Sequence, residues 1–104
     1  MIKVLVIKKN DKLNNISIKG HAMYDVVGKD IVCASVSTLV ISTINNILSI
    51  DNKVIDVKQE ENNILINIIK IDKICNLLLT NMIKYLEEIA QKYPKNIKIT
   101  IKEE

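Results

Sequence analysis

IVCASVSTLVISTINNILSI, residues 31–50, is the stretch that decides the fold. Val32, Val36, Leu39, Val40, Thr43, Ile47 and Ile50 recur at spacings of three and four, the period of a helix rather than a strand. Apolar side chains cover much of the circumference, and Ala34, Ser35 and Ser37 are small, so the helix is expected to pack closely on at least two sides. Before it, residues 2–9 and 13–19 read as strands of a hairpin, with Ile16 and Ile18 alternating with polar neighbours. Residues 20–29 (GHAMYDVVGK) break both periods, carry both glycines of the chain and read as a loop.

After the helix the same pattern returns. Strands are expected at 53–58 and 63–69, joined by the polar turn Gln59-Glu60-Glu61-Asn62. A second amphipathic helix follows over 71–92, with a face of Ile71, Ile74, Cys75, Leu78, Met82, Tyr85, Ile89 and Tyr93 that Pro94 prevents from continuing. A last strand spans 97–101. The order ββαββαβ predicts an α+β fold, a two-layer sandwich of one mostly antiparallel sheet with two helices, and 104 residues are enough for a single domain over 1–104.

Composition narrows the function. All 15 basic residues are lysine, set against 12 acidic ones, and the chain has no Arg, Phe or Trp and only 3 Tyr. Bidentate phosphate contacts and base stacking both lack their usual residues, so direct nucleic-acid binding is not expected. The apolar run Val4–Ile7 is far shorter than a secretory h-region, which predicts a cytoplasmic protein. Ser, Thr or Asn interrupts each apolar stretch, so no membrane span is expected. Thiols in the cytosol stay reduced, and the 2 cysteines are read one at a time.

Asp30 stands where an N-cap belongs, which puts Cys33 in the first helical turn. Unpaired N–H groups and the positive helix end there favour a thiolate, and the same N–H groups suit a developing oxyanion. The dipole alone is too weak: roughly 0.3–1 kcal/mol raises the thiolate fraction by less than about tenfold. The sulfur therefore needs a second positive group, and His21, the one histidine, lies 12 residues earlier at the end of the second strand. A Cys–His pair so placed would carry acyl transfer through a thioester. Spacing alone leaves the plain alternatives open, a small buried thiol and a solvated imidazole.

Cys75 falls on the apolar stripe of the second helix and reads as core. His21, Cys33 and a carboxylate have no CxxC or HxxxH spacing, so neither a metal nor any other cofactor is expected. Ser37, one turn beyond Cys33, reads as a supporting residue.

Gly20-His21-Ala22 followed by Gly28-Lys29-Asp30-Ile31-Val32-Cys33-Ala34-Ser35-Val36-Ser37 resembles the pattern of the ribosomal-processing cysteine protease Prp family. The motif covers about a fifth of the chain. The resemblance implies an endopeptidase that removes a short N-terminal extension from a large-subunit ribosomal protein, its substrate and partner. It implies Cys33 as nucleophile and His21 as base, Asp30 and Ser37 close by, and a homodimer. It also implies a substrate loop that here takes in Gly20, Ala22, Met23, Tyr24 and Gly28. Two other classes stay in view: a non-catalytic ribosome-assembly factor holding a peptide in the same groove, and a thiol sensor, for which no resolving cysteine lies near Cys33 in sequence.

Overall fold

The structure is a computed structural model that describes residues 1–20 and 31–104. Its elements are β1 (Ile2–Lys9), β2 (Lys12–Lys19), α1 (Ile31–Ile50), β3 (Ile55–Glu60), β4 (Asn63–Ile68), α2 (Lys73–Lys92) and β5 (Ile97–Glu103). This is the expected ββαββαβ order and an α+β sandwich.

The strands form one five-stranded sheet in the order β3-β4-β2-β1-β5. β1 and β2 are joined through Asn10 and Asp11, both in the left-handed region at φ 53° and 62°. A two-residue hairpin loop needs positive φ at both positions to match the strand twist, and Asn and Asp tolerate it better than most side chains. β1–β2, β2–β4 and β3–β4 pair antiparallel. β1–β5 is parallel, with Val4 opposite Ile99.

The pairings make β2-α1-β3 and β4-α2-β5 two crossovers, each between parallel strands that are not neighbours. β4 runs opposite to β2, and its crossover moves across the sheet in the opposite sense. With right-handed connections these two reversals cancel, so both helices land on one face. That face is the core. Ile2, Val4, Val6, Ile16, Ile18, Ile64 and Ile66 meet Val36, Val40 and Ile47 of α1 and Leu79, Met82 and Leu86 of α2.

Two expectations need correction. α2 buries only part of its predicted face: Cys75 and Met82 are in the core and Leu78 and Ile89 pack against it, whereas Ile71, Ile74 and Tyr85 are 66%, 58% and 55% exposed, and Tyr93 is exposed too. The buried stripe is Cys75, Leu79, Met82, Ile83 and Leu86. Leu77, Leu78 and Leu79 in succession let a helical stripe be drawn on more than one side, and docking on the sheet selects between them.

The second correction concerns polar interruptions as a bar to a membrane span. α1 is 20 residues long with a mean hydropathy of 1.8, enough in length and composition to cross a membrane. The reason is that its exposed side is polar without being charged, as at Ser35, Thr38, Ser42, Asn45, Asn46 and Ser49. In the fold Val32, Val36, Val40, Thr43, Ile44 and Ile47 are buried, and Thr43 returns its hydroxyl to the Leu39 carbonyl at 2.8 Å.

α2 starts later than the sequence suggests. Asp72 is its N-cap, with an extended backbone and a carboxylate that accepts the Cys75 N–H at 2.9 Å. The Cys75 backbone and thiol hydrogen bonds hold the Asp72 carboxyl below its ordinary 3.8. A lowered carboxylate contributes stability that is complete above the ordinary value and is lost as pH falls through the lower folded value. Asp72→Ala should therefore melt below the parent at neutral pH, with the two melting curves converging in strong acid. Equal midpoints at neutral pH would show that the cap contributes nothing.

Candidate active site

The site is built where β2 ends. Gly20, directly after β2, has φ +82°, and a Cβ there would lie 2.8 Å from the backbone oxygen of Met1. Its N–H donates to the Asn62 carbonyl at 2.8 Å. Ile2 N–H donates to the Asn96 carbonyl at 2.8 Å, so the ends of β1, β2, β4 and β5 are tied together at this edge. A helix that carries the chain from β2 to a parallel β3 must start near the carboxyl end of β2. α1 therefore opens at this edge, with Cys33 as its third residue.

Cys33 is half-buried and packs against the core from the first turn of α1, as expected. Ser37 is half-buried one turn further on. The structure thus places Cys33 and Ser37 on one helix face and Gly20 at the strand end. His21, Ala22, Met23, Tyr24, Gly28 and Asp30 lie outside the described residues. Among the described residues no three His, Cys, Asp or Glu side chains gather as a metal site would require.

Cys75 is of a different kind. It is 3% exposed, and burial, followed by its hydrogen bond to Asp72 and the charges of Asp72 and Asp51, pushes its thiol from 9.0 up to about 11. The thiolate is about a hundredfold scarcer than for an ordinary thiol. Iodoacetamide at neutral pH should modify Cys33 first and reach Cys75 only on unfolding, as peptide mass spectrometry would show. Equal rates at both would contradict this burial.

A groove of about 440 Å³ runs between the start of α1 and the end of α2, lined by Ile31, Ser35 and Leu39 on one side and Tyr85, Ile89 and Tyr93 on the other. Ile31 and Ser35 are each two residues from Cys33, about 200° around the helix, so the groove opens on the flank opposite the thiol. The sequence reading missed two features here. One is the steric demand at Gly20, which depends on Met1. The other is Asn63, whose buried Oδ1 has no hydrogen-bond partner among the described residues, beside the Gly20–Asn62 pair.

A half-buried cysteine in the first turn of a helix that leaves a sheet end, on a frame of two helices over a mixed sheet, is an arrangement that a thiol-dependent hydrolase can use. The family model described as cysteine protease Prp matches residues 1–98, and the chain belongs to that family. It is a cysteine protease.

The ribosomal processing cysteine protease Prp of Staphylococcus aureus is 26% identical over 101 residues, covering 94% of this chain and 95% of that protein. The crystal structure of that protease with a covalently linked product peptide superposes with a TM-score of 0.89 at 25% identity, covering 98% of this chain and 100% of the other. Its complex with a substrate peptide gives 0.85 at 25% identity over the same shares. A Streptococcus mutans protein shares the fold, with a TM-score of 0.87 at 23% identity over 100% of this chain and 96% of its own.

Proposed function

We propose that this protease removes the N-terminal extension of a large-subunit ribosomal protein, with Cys33 as nucleophile and His21 as general base. The observation that carries the assignment of Cys33 is its place in the first turn of α1, half-exposed, while Cys75 is sealed and protonated. The words "ribosomal processing" in the name of the Staphylococcus aureus relative support the substrate class. The covalently linked product peptide in that relative's structure supports a covalent route.

His21 takes the thiol proton, and the Cys33 sulfur attacks the scissile carbonyl carbon. The oxyanion forms beside the first-turn N–H groups, and on collapse the C–N bond breaks and His21 returns the proton to the leaving amine. Water, deprotonated by His21, then attacks the thioester carbonyl; the C–S bond breaks, the new carboxyl group leaves, and His21 returns the proton to the Cys33 sulfur. Asp30 caps α1, and Ser37 supports the sulfur from one turn away. Gly20, Ala22, Met23, Tyr24 and Gly28 border the peptide.

The 104 residues form one peptidase domain working in the cytoplasm as a homodimer. The uncharged exposed side of α1 supports self-association, since interface cores are depleted of charge. Incubating the purified chain with the ribosomal protein of the same organism, extension included, tests the substrate. The expected result is a single cut that removes the extension, and an intact substrate would overturn the reading. Light scattering tests the dimer, and a monomer at assay concentration would remove it.

A further inference from the structure

Both helices cover one face of the sheet, and the other face carries the side chains that alternate with the core. Lys3 lies between buried Ile2 and Val4, Lys19 follows buried Ile18, and Lys98 follows buried Ile97. All three lysines are exposed and stand on the face away from the helices. Lys102, further along β5, is exposed on the same face.

Lys3, Lys19 and Lys98 form a single row. Lys3 is the direct partner of Lys19 on one side and of Lys98 on the other. Neighbouring strands are about 4.8 Å apart, so the row crosses about 10 Å of sheet. Like charges directly opposite one another cost stability. Lysine on an edge strand guards it against pairing with another chain, which accounts for Lys98 and Lys102 on β5. It does not account for Lys3 and Lys19, because β1 and β2 are interior strands. The sheet therefore carries a repulsion that its own architecture does not require.

The acidic groups of this face lie elsewhere. Beyond Lys19 the row continues through uncharged Asn63 of β4 to Glu60 of β3, and Asp56 is also on β3. Both carboxylates thus belong to the opposite edge strand, two strands from Lys19. Glu103 of β5 is at the far end of its strand, where it accepts the Asp11 N–H at 3.1 Å. One row inward from the lysines, half-buried Thr100 adds a hydroxyl beside Leu5. The β5-β1-β2 part of the face is positive and polar.

We propose that this row docks the phosphate backbone of single-stranded RNA. Lysine ammonium groups sit on flexible stems and adjust to the spacing of successive phosphates along a strand. Protein interfaces are depleted of lysine and are anchored by apolar or aromatic side chains, so a row of lysines fits a polyanion better than a protein surface. The chain has no Arg, Phe or Trp with which to read or stack bases. Contacts to phosphate oxygens need only charge and hydrogen-bond donors, so the binding is independent of sequence and sensitive to salt. The helix that carries Cys33 is on the other face, and docking and cleavage use different faces of the sheet. The proposal does not depend on the substrate assigned above.

Fluorescence anisotropy of a labelled oligouridylate, titrated with the full chain over a range of salt, tests the surface without any peptidase assay. Saturable binding at low salt is expected, with log K falling against log salt at a slope of about −2, the value for three phosphate contacts on a single strand. The triple variant Lys3→Thr, Lys19→Thr and Lys98→Thr should melt at or above the parent's midpoint, since it removes facing like charges, and should lose at least about tenfold in RNA affinity. Lys73→Ala, Lys84→Ala and Lys92→Ala on α2 change the net charge equally and should leave the affinity at the parent's value. The absence of saturable binding overturns the proposal. So do undiminished binding by the folded sheet variant and equal losses in the two triple variants. Tighter binding of a polyglutamate of the same length would also overturn it, by assigning the row to an acidic protein segment.

Discussion

Cys33→Ala is expected to lower the rate of peptide cleavage by at least about 10³-fold, because no other side chain replaces a covalent nucleophile. The loss should be confined to chemistry. Cys33 is half-buried at the edge of the core, so removing its sulfur should cost stability by no more than about 1 kcal/mol. Cleavage followed by mass spectrometry, together with urea unfolding of the same samples, separates the two effects. Cleavage by the alanine variant at parental rates would transfer the nucleophile elsewhere, and Cys75→Ala would then be the variant to examine. His21→Ala should reduce cleavage comparably and also slow alkylation of Cys33 at neutral pH. Unchanged alkylation would mean that the histidine does not activate the sulfur.

The second large effect is expected at Gly20, through the backbone alone. With φ at +82° and the Met1 carbonyl oxygen 2.8 Å from where a Cβ would stand, Gly20→Ala must either strain the left-handed backbone or push β1 and β2 apart. Neither partner of the clash is a flexible side chain. A cost of about 1–3 kcal/mol follows from the conformation, more if the N–H bond to Asn62 is lost. His21 is the next residue, and a displacement of about 1 Å at a reacting group can cost on the order of 10²-fold in rate. Cleavage should therefore fall further than the folded fraction does, measured by urea titration and assay in parallel. Parental stability and rate in Gly20→Ala would refute both the steric reading and its link to the histidine.

The local part of this structure was legible in advance. Alternation at Ile16 and Ile18 and the three-and-four spacing from Val32 to Ile47 each need only near neighbours, and every expected element formed, although β3 lies two residues later than expected, because Gln59 and Glu60 pair with Ile64 and Asn63 and leave only Glu61 and Asn62 for the turn. Cys33 in the first turn of α1 follows from the same reasoning, since a helix start is a local event. The misplacements were at boundaries and faces. α2 begins at Lys73 because the Asp72 side chain caps it, and Ile71, counted in the helix from its period, stays outside. β5 continues to Glu103 because β1 offers it partners as far as Lys8.

What the sequence determined by itself is thus the set of elements, the helix that carries Cys33 and, through its short motif, the family. Tertiary structure alone decided the rest. It set β5 parallel beside β1, turned α2 to bury Leu79 and Leu86 instead of Ile74 and Tyr85, and placed Met1 against Gly20. Each of these depends on residues tens of positions apart meeting in space. Such encounters are settled by the packing of whole layers, and no periodicity within a short window records them.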